Sequence, residues 1–422
     1  MDIKQRRWLY SLFIFLFLII SPLVIAYALG YRLDTTGWKV TKVGALYIKS
    51  YPAGAKIIVN NKVTKRKTPS QVINIPVGAN TFSVEKDGYQ PWTKTMNVVA
   101  GDTTFVQDIL IFKQDFKKQV VGNGGSQLVS STNDDAYIYI NKQQELVVIN
   151  TTNRTATVVG KLPAAAQLRQ WTADERAVLY TVGSTWFTLT LADDQSKQIS
   201  PKPVKTITKA LIADNVNNIL FTSGQILYRW NTSSQTLTVI NTKVKDFALG
   251  DGHLAFLTDT GLSLSALDDT TRTITPLDST DDLQLKRVTR DIVLLTHGDQ
   301  YWIWREGKIE QRINATSFDW KKNSLLFSND YELTIYDVAS QTTNVTDRTS
   351  IKTLQVGWHP SANYFARVQN SILDLVEIDS RGDKRHVIPI ATINPTDTYL
   401  FDPKGEYIFI LTPQETYSLQ LQ

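Results

Sequence analysis

The chain contains no cysteine. Disulfides, thiolate metal sites and cysteine nucleophiles are excluded together, so any exported part must hold its fold by packing alone. Histidine is almost as scarce: His253, His297, His359 and His386 are the whole set. They are far apart, and none has the H-E-x-x-H spacing of a metal pair, so they are expected to be structural or surface residues. There is no G-x-S-x-G elbow, no G-x-x-x-x-G-K-[ST] loop and no G-x-G-x-x-G behind a strand. An excess of one charge is missing too. The 45 basic and 40 acidic residues leave a net charge of +5, too balanced to imply a nucleic-acid partner. On these grounds no catalytic, cofactor-binding or metal-binding residue is assigned, and no cofactor is expected.

Some local clusters still need a reading. The acidic doublets Asp134-Asp135, Asp193-Asp194, Asp268-Asp269 and Asp281-Asp282 lack the D-x-[DN]-x-[DN]-G loop that cages calcium. They are expected to be turns, where aspartate is common. The run Gly122-Asn123-Gly124-Gly125-Ser126 opens no helix and is expected to be an interdomain linker.

Long apolar runs are limited to one. From Trp8 to Gly30 no charged side chain occurs, directly behind Lys4, Arg6 and Arg7. A helix crosses a bilayer with roughly 20 apolar residues, and this segment is long enough. The cations before it are denser than Arg32, Lys39 and Lys42 behind it, which Asp34 partly offsets. That asymmetry predicts a cytoplasmic N-terminus (1–7), a transmembrane signal anchor (8–30) and an extracytoplasmic remainder at the cell membrane. Trp8, Tyr10, Tyr27 and Tyr31 suit interfacial anchoring. The alternative is a signal peptide cleaved after Ala28, since Ala26-Tyr27-Ala28 has small-x-small spacing. The run exceeds the roughly 7–15 residues of a usual signal-peptide core, which favours the uncleaved anchor.

With 422 residues, 42% of them hydrophobic, the chain is long enough for more than one domain. Beyond Gly30 the texture is all-β. Short apolar or alternating runs such as Lys56–Asn60, Ala136–Ile140, Ala177–Val182, Ile219–Phe221, Ser324–Phe327 and Tyr407–Leu411 recur between turn residues. A linker is expected at 31–43 and a compact unit at 44–112. In that unit Pro52-Ala53-Gly54-Ala55, Asn60-Asn61, Thr68-Pro69 and Lys86-Asp87-Gly88 punctuate the strands. The basic cluster Lys62, Lys65, Arg66 and Lys67 is expected on a solvated loop, and Tyr89 and Trp92 in the core.

These residues resemble the PEGA domain, a small β-sandwich-like module of prokaryotic envelope and surface-layer proteins. The motif Pro-Glu-Gly-Ala stands here as Pro52-Ala53-Gly54-Ala55, without the glutamate. Thr68-Pro69, Lys86-Asp87-Gly88-Tyr89 and Trp92 come after it in the family's order, and Tyr27–Arg32 is similar to the junction of its anchored members. The resemblance implies an envelope location and a structural or adhesive role, with little chemistry.

The remainder, 113–422, repeats diffusely. Units of a polar turn, two apolar strands and a short Thr/Lys/Val strand begin near Gln127, Gln167, Thr206, Val244, Leu283, Ala315, Ile351 and Ala391. That spacing is close to the roughly 40 residues of a β-propeller blade. The last unit ends a strand early, and residues 116–122 are expected to supply it, closing the ring. Eight blades are expected, with seven as the alternative. Turns such as Trp171-Thr172-Ala173-Asp174, Trp358-His359-Pro360-Ser361 and Phe401-Asp402-Pro403-Lys404-Gly405 resemble those of TolB-type and WD40-type propellers. Seven of the 10 tryptophans lie here and are expected between blades. The reading is a membrane-anchored binding or scaffold protein for an envelope protein or cell-wall polymer, with its binding residues unidentified. The alternative is an exported hydrolase or lyase working in the propeller channel.

Overall fold

A computed structural model of the chain describes residues 3–34, 39–130, 136–321 and 323–422. The doublet Asp134-Asp135 lies outside them. The chain divides into two compact units, one of residues 1–116, 375–388 and 421–422, the other of 117–374 and 389–420.

The first unit opens with α1 (Ile3–Ala28), whose residues from Arg6 to Ala28 are long and apolar enough to cross a membrane. Most of its apolar side chains are exposed: Phe13, Ile14, Phe17 and Leu23 are all more than 60% exposed. Pro22 sits inside the helix, which membrane helices tolerate. At its end the chain reverses through Gly30, whose φ of +82° favours glycine. Tyr27 O accepts from Gly30 N at 3.2 Å and from Arg32 Nη1 at 2.7 Å, and the Arg32 guanidinium lies 3.5 Å over the Tyr27 ring. Arg32 therefore adds a second donor to a carbonyl of the helix's last turn.

Eight strands come next: β1 (Tyr31–Asp34), β2 (Lys39–Tyr51), β3 (Lys56–Val59), β4 (Lys62–Lys67), β5 (Ser70–Pro76), β6 (Gly78–Glu85), β7 (Trp92–Val98) and β8 (Thr103–Leu110). Residues 31–43, expected as a linker, thus hold β1 and the start of β2, paired from Tyr31–Lys42 to Asp34–Lys39. One sheet runs β1-β2-β5 with β8 parallel to β2, and the other runs β4-β3-β6-β7. Alternating residues from both sheets, among them Leu46, Ile48, Ile57, Phe82, Val84, Trp92, Val98 and Val106, form a single core. Tyr89 is half-buried against it. Asn60 and Asn61 both have positive φ, the geometry of a two-residue turn between hairpin strands, here β3 and β4.

The basic cluster corrects its sequence reading. Lys62, Lys65, Arg66 and Lys67 are exposed on β4, an edge strand, and not on a loop. Charge at a sheet edge discourages pairing with another chain, so a strand here carries the composition of a loop.

Residues 375–388 bring a buried ion pair into this unit. Lys94 Nζ lies 2.7 Å from Glu377 Oε2, with side chains 1% and 6% exposed. Trp92 Nε1 donates to Glu377 Oε1 at 3.2 Å, and Lys94 Nζ also donates to Asp379 O at 2.7 Å. Each charge is thereby hydrogen-bonded as well as paired, which burial demands.

The second unit consists of four-stranded antiparallel sheets, each a meander of consecutive strands. Eight are present among the described residues: 125–161, 166–198, 209–241, 244–276, 283–314, 317–348, 353–392, and 398–420 joined by 118–123. The first strands of successive sheets lie side by side, as Gly125–Ser130 does with Ala166–Trp171 and Ser317–Lys321 with Thr353–Trp358. The hydrophobic cores sit between sheets. In the strand Gln300–Arg305, Ile303 packs toward Phe327 and Tyr336 of the sixth sheet, while Trp304 packs toward Leu257 and Leu262 of the fourth. This two-sided burial is why Tyr301-Trp302-Ile303-Trp304 shows no polar alternation. The last sheet meets the first through Phe409 and Leu411 against Tyr139, Val147 and Ile149. Meandering sheets packed face to face and closed on themselves make a β-propeller.

Strand Lys118–Asn123 pairs with Glu415–Gln420, joining the two ends of the unit in one sheet. The glycine run at 122–126 is correspondingly no linker. It ends this strand and begins the next, with Gly124 N and Gly125 N donating to Gln414 O and Thr412 O, both at 3.0 Å. Composition read it as flexible because its backbone partners lie about 290 residues away.

Candidate functional site

The propeller's first strands carry a recurring polar device. Gln127 Oε1 accepts from Leu168 N at 2.6 Å, and Gln170 accepts from Ile212 N at 2.8 Å while donating to Ile212 O at 2.9 Å. Asp246 Oδ2 takes Leu285 N at 2.8 Å, and Asp319 Oδ2 takes Trp358 N at 2.6 Å. Gln355 Nε2 donates to Asp397 O at 3.1 Å. In each case a side chain from one sheet binds backbone in, or directly before, the next sheet's first strand. Bulges at Leu168/Gln170, Val244/Asp246 and Thr353/Gln355 stand beside three of these residues and re-aim them. The sequence reading missed this set. Its trace is an amide or carboxylate directly before an apolar residue: Gln170-Trp171, Asp246-Phe247, Asp319-Trp320 and Gln355-Val356.

Inside this framework lies a cavity of about 840 Å³. Its walls come from residues 317–321, 354–358 and 398–401, in the first strands of the last three sheets, with Arg287, Ser130, Tyr137, Pro360, Asp402 and Pro403 added. Six aromatic rings contribute, yet Trp320, Trp358, Tyr399 and Phe401 are only 5–9% exposed and Tyr137 3%. Two carboxylates are present, both engaged by backbone amides. Asp319 accepts from Trp320 N and Trp358 N, and Asp402 Oδ1 accepts from Tyr407 N at 2.7 Å. Burial raises the Asp402 carboxyl above the usual carboxylate range. Burial and the neighbouring Asp319 likewise push the Tyr399 phenol up. The cations differ. Arg287 lies 5.4 Å over the Trp320 ring, and neither it nor Lys321 has a carboxylate partner among the described residues.

The histidines do not converge. His359 is buried, its Nε2 3.1 Å from Gly405 O and its Nδ1 2.9 Å from Ser361 Oγ, and burial lowers it to about 4. His386, in the first unit, is also lowered to about 4 by burial, with Lys94 and Lys384 adding to the effect. His253 Nδ1 is 2.7 Å from Asp251 O, and exposed His297 tilts against Trp302. No group of three or more metal-ligating side chains occurs among the described residues. The described acidic doublets occupy turns: Asp193 accepts from Gln195 N, Asp269 accepts from Ala266 N, and Asp281 pairs with Lys245 at 2.9 Å.

Residues 43–110 match the PEGA domain. The match runs from within β2 to the end of β8 in the first unit. No curated protein sequence matches the chain. Similar solved structures include the C-terminal WD40 domain of Sif2, 12% identical with a TM-score of 0.48, covering 73% of this chain and 98% of that one. Hsv2 of Kluyveromyces lactis is 9% identical with a TM-score of 0.40, over 71% and 98% of the two chains. The AfRom2 CNH domain is 13% identical with a TM-score of 0.35, over 66% and 100%.

Proposed function

We propose that the chain is a single-span extracytoplasmic binding protein of the cell envelope. In this reading α1 is an uncleaved anchor with its basic end in the cytoplasm, and the PEGA domain is a stalk. The propeller, its eight sheets taken as eight blades, presents a binding face to an envelope protein or wall polymer. The observation that carries the reading is the direct passage from membrane-length helix into PEGA domain. Val43 N donates to Gly30 O at 2.8 Å, and Gly101 N to Val43 O at 3.0 Å, so the anchor is hydrogen-bonded to the sandwich. An exported hydrolase or lyase, which would use three or more convergent carboxylates or histidines, draws no support from a cavity lined by two carboxylates and no histidine.

Protease added to intact cells tests the topology. The expected product is a short protected stub, and complete protection in protease-accessible cells would overturn the orientation. Capture from envelope extracts on the detergent-solubilised full chain, run beside a wall-glycan binding assay, tests the role. Retention of neither protein nor polymer would sink it.

A further inference from the structure

We infer that the helix-bearing end of the sandwich docks on an anionic phospholipid surface, the leaflet from which α1 emerges. The inference rests on the anchor reading above and gives the sandwich a partner of its own. Backbone contacts define that end. Val43 N donates to Gly30 O at 2.8 Å, and a Cβ on Gly101 would stand 3.4 Å from Ala28 O. Val77 N donates to Lys42 O at 3.4 Å. Asn80 Nδ2 donates to Pro76 O at 2.7 Å, and its Oδ1 accepts from Asn60 Nδ2 at 2.8 Å. The end of α1, the turns at 76–78 and 99–102 and the Asn60-Asn61 turn therefore lie together.

The turn tips at the two ends of the sandwich differ. The opposite end turns through Ala53-Gly54 and Lys86-Asp87-Gly88, with Lys86 Nζ donating to Ala53 O at 2.8 Å and the Asp87 side chain 98% exposed. At the helix-bearing end the tips are Val77, 46% exposed, and Val99, 55% exposed, with Leu29 beside them at 58%. Polar residues and glycine normally fill such tips. A bilayer interface covers the apolar side chains that the domain leaves bare. Tyr27 and Tyr31 stand at the same level, as aromatic residues do at membrane surfaces.

Charge selects the lipid. From residue 35 to 84 the sequence has eight basic residues and no acidic one. The segments that meet at this end, 29–43, 60–62, 76–80 and 98–102, carry Arg32, Lys39, Lys42 and Lys62 against Asp34 and Asp102, a net charge of +2. Lys42 and Lys62 are exposed, and neither has a carboxylate partner among the described residues. Beyond Lys62, β4 adds Lys65, Arg66 and Lys67, and no acidic residue occurs on β2, β3, β4 or β5 to oppose them. Cations held this close to a bilayer attract anionic headgroups.

The test uses the full chain in nanodiscs of phosphatidylcholine, or of an equimolar mixture of phosphatidylglycerol and phosphatidylcholine. The chain has no cysteine, so Val77→Cys, Val99→Cys, Ala53→Cys and Leu18→Cys each accept one fluorophore. In the mixture, lipids with a nitroxide on the headgroup should quench the labels at 77 and 99 strongly and the label at 53 little. The quenching at 77 and 99 should weaken in pure phosphatidylcholine and as salt rises. Lys42→Ala/Lys62→Ala should lower the ratio of docked to free sandwich roughly tenfold in the mixture, as loss of two cations near an anionic surface implies, with an unchanged thermal midpoint. Lys42→Arg/Lys62→Arg should keep it. Equal quenching at 53 and 99, equal quenching in the two compositions, or no effect of the alanine variant would overturn the inference. The label at 18 separates the two levels, because a nitroxide on the acyl chain should quench it if α1 spans the bilayer. Quenching there without phosphatidylglycerol-dependent quenching at 77 and 99 keeps the anchor and rejects the surface contact, whereas no quenching at 18 rejects the anchor itself.

Discussion

At the scale of single residues, the buried polar groups decide how the protein responds to acid. His359 serves a turn: its neutral ring fits a proton on Nε2, donated to Gly405 O, and an Nδ1 that accepts from Ser361 N at 3.2 Å. Burial holds its pKa near 4, against about 6.5 in an unfolded chain. Between those values the unfolded state binds more protons, so stability is complete above about pH 6.5 and is lost as pH falls toward 4. His386 adds to the same window. Thermal midpoints measured from pH 7 to pH 4 should fall, His359 alone contributing up to about 3 kcal/mol. His359→Gln should flatten the profile, and an unchanged slope would remove His359 from the explanation. The glycine above it is equally constrained. Gly405 has a φ of +75°, and a Cβ there would strike the imidazole. Gly405→Ala should cost about 1–3 kcal/mol in urea unfolding. The sequence showed Trp358-His359-Pro360-Ser361 and Phe401–Gly405 as turns of a repeat. It could not show that the two turns touch, because 46 residues separate His359 from Gly405.

The strands and turns were more legible than their partners. Runs such as Ala177–Val182 and Tyr407–Leu411 declare themselves by composition, and both are strands over those same residues. Where reading failed, the deciding partner was remote or the composition served another need. The glycine run at 122–126 finds its hydrogen bonds at Thr412 and Gln414, and the lysines of β4 serve as edge protection. Links between sheets were invisible for the same reason. Asp319 illustrates them, receiving its own Trp320 N at 2.8 Å and Trp358 N of the next sheet. Asp319→Ala should strand two backbone N–H groups and cost about 2–4 kcal/mol in urea unfolding. Asp319→Asn, which keeps one acceptor oxygen, should cost less. Equal losses would mean that the carboxylate acts through charge alone. Closure of the ring offers a second check at this scale. Val121 packs among Tyr139, Val147, Phe409 and Leu411, so Val121→Asp should place a charge in that seam and lower the melting temperature. A neutral result would show that the strand at 118–123 contributes little to closure.

For the whole molecule the question is how firmly the membrane-length helix is joined to the sandwich behind it. Sequence identified the apolar run and its basic flank, but a linker was expected at 31–43, which would have left the sandwich free to swing beneath the membrane. The chain instead turns at Gly30 and enters β1, which pairs with β2, and Arg32 binds the helix end. Gly30 also approaches Gly101, whose backbone atoms and Val43 O fill the space a side chain would need. One hydrogen bond, Val43 N to Gly30 O, and this close contact tie the helix end to the sandwich, so tilting of α1 is expected to reach the PEGA domain. Gly30→Val would add a side chain to a crowded position with φ of +82° and force the junction open. Spin labels at Tyr27 and Val99 in the full chain, reconstituted in nanodiscs, should give a narrow distance distribution in the wild type and a broad one in Gly30→Val. Gly30 lies outside the PEGA match, so hydrogen-exchange protection of the core strands should persist in the variant. A broad wild-type distribution would mean that the stalk is a tether, and the anchor would then fix where the protein resides without fixing how it stands.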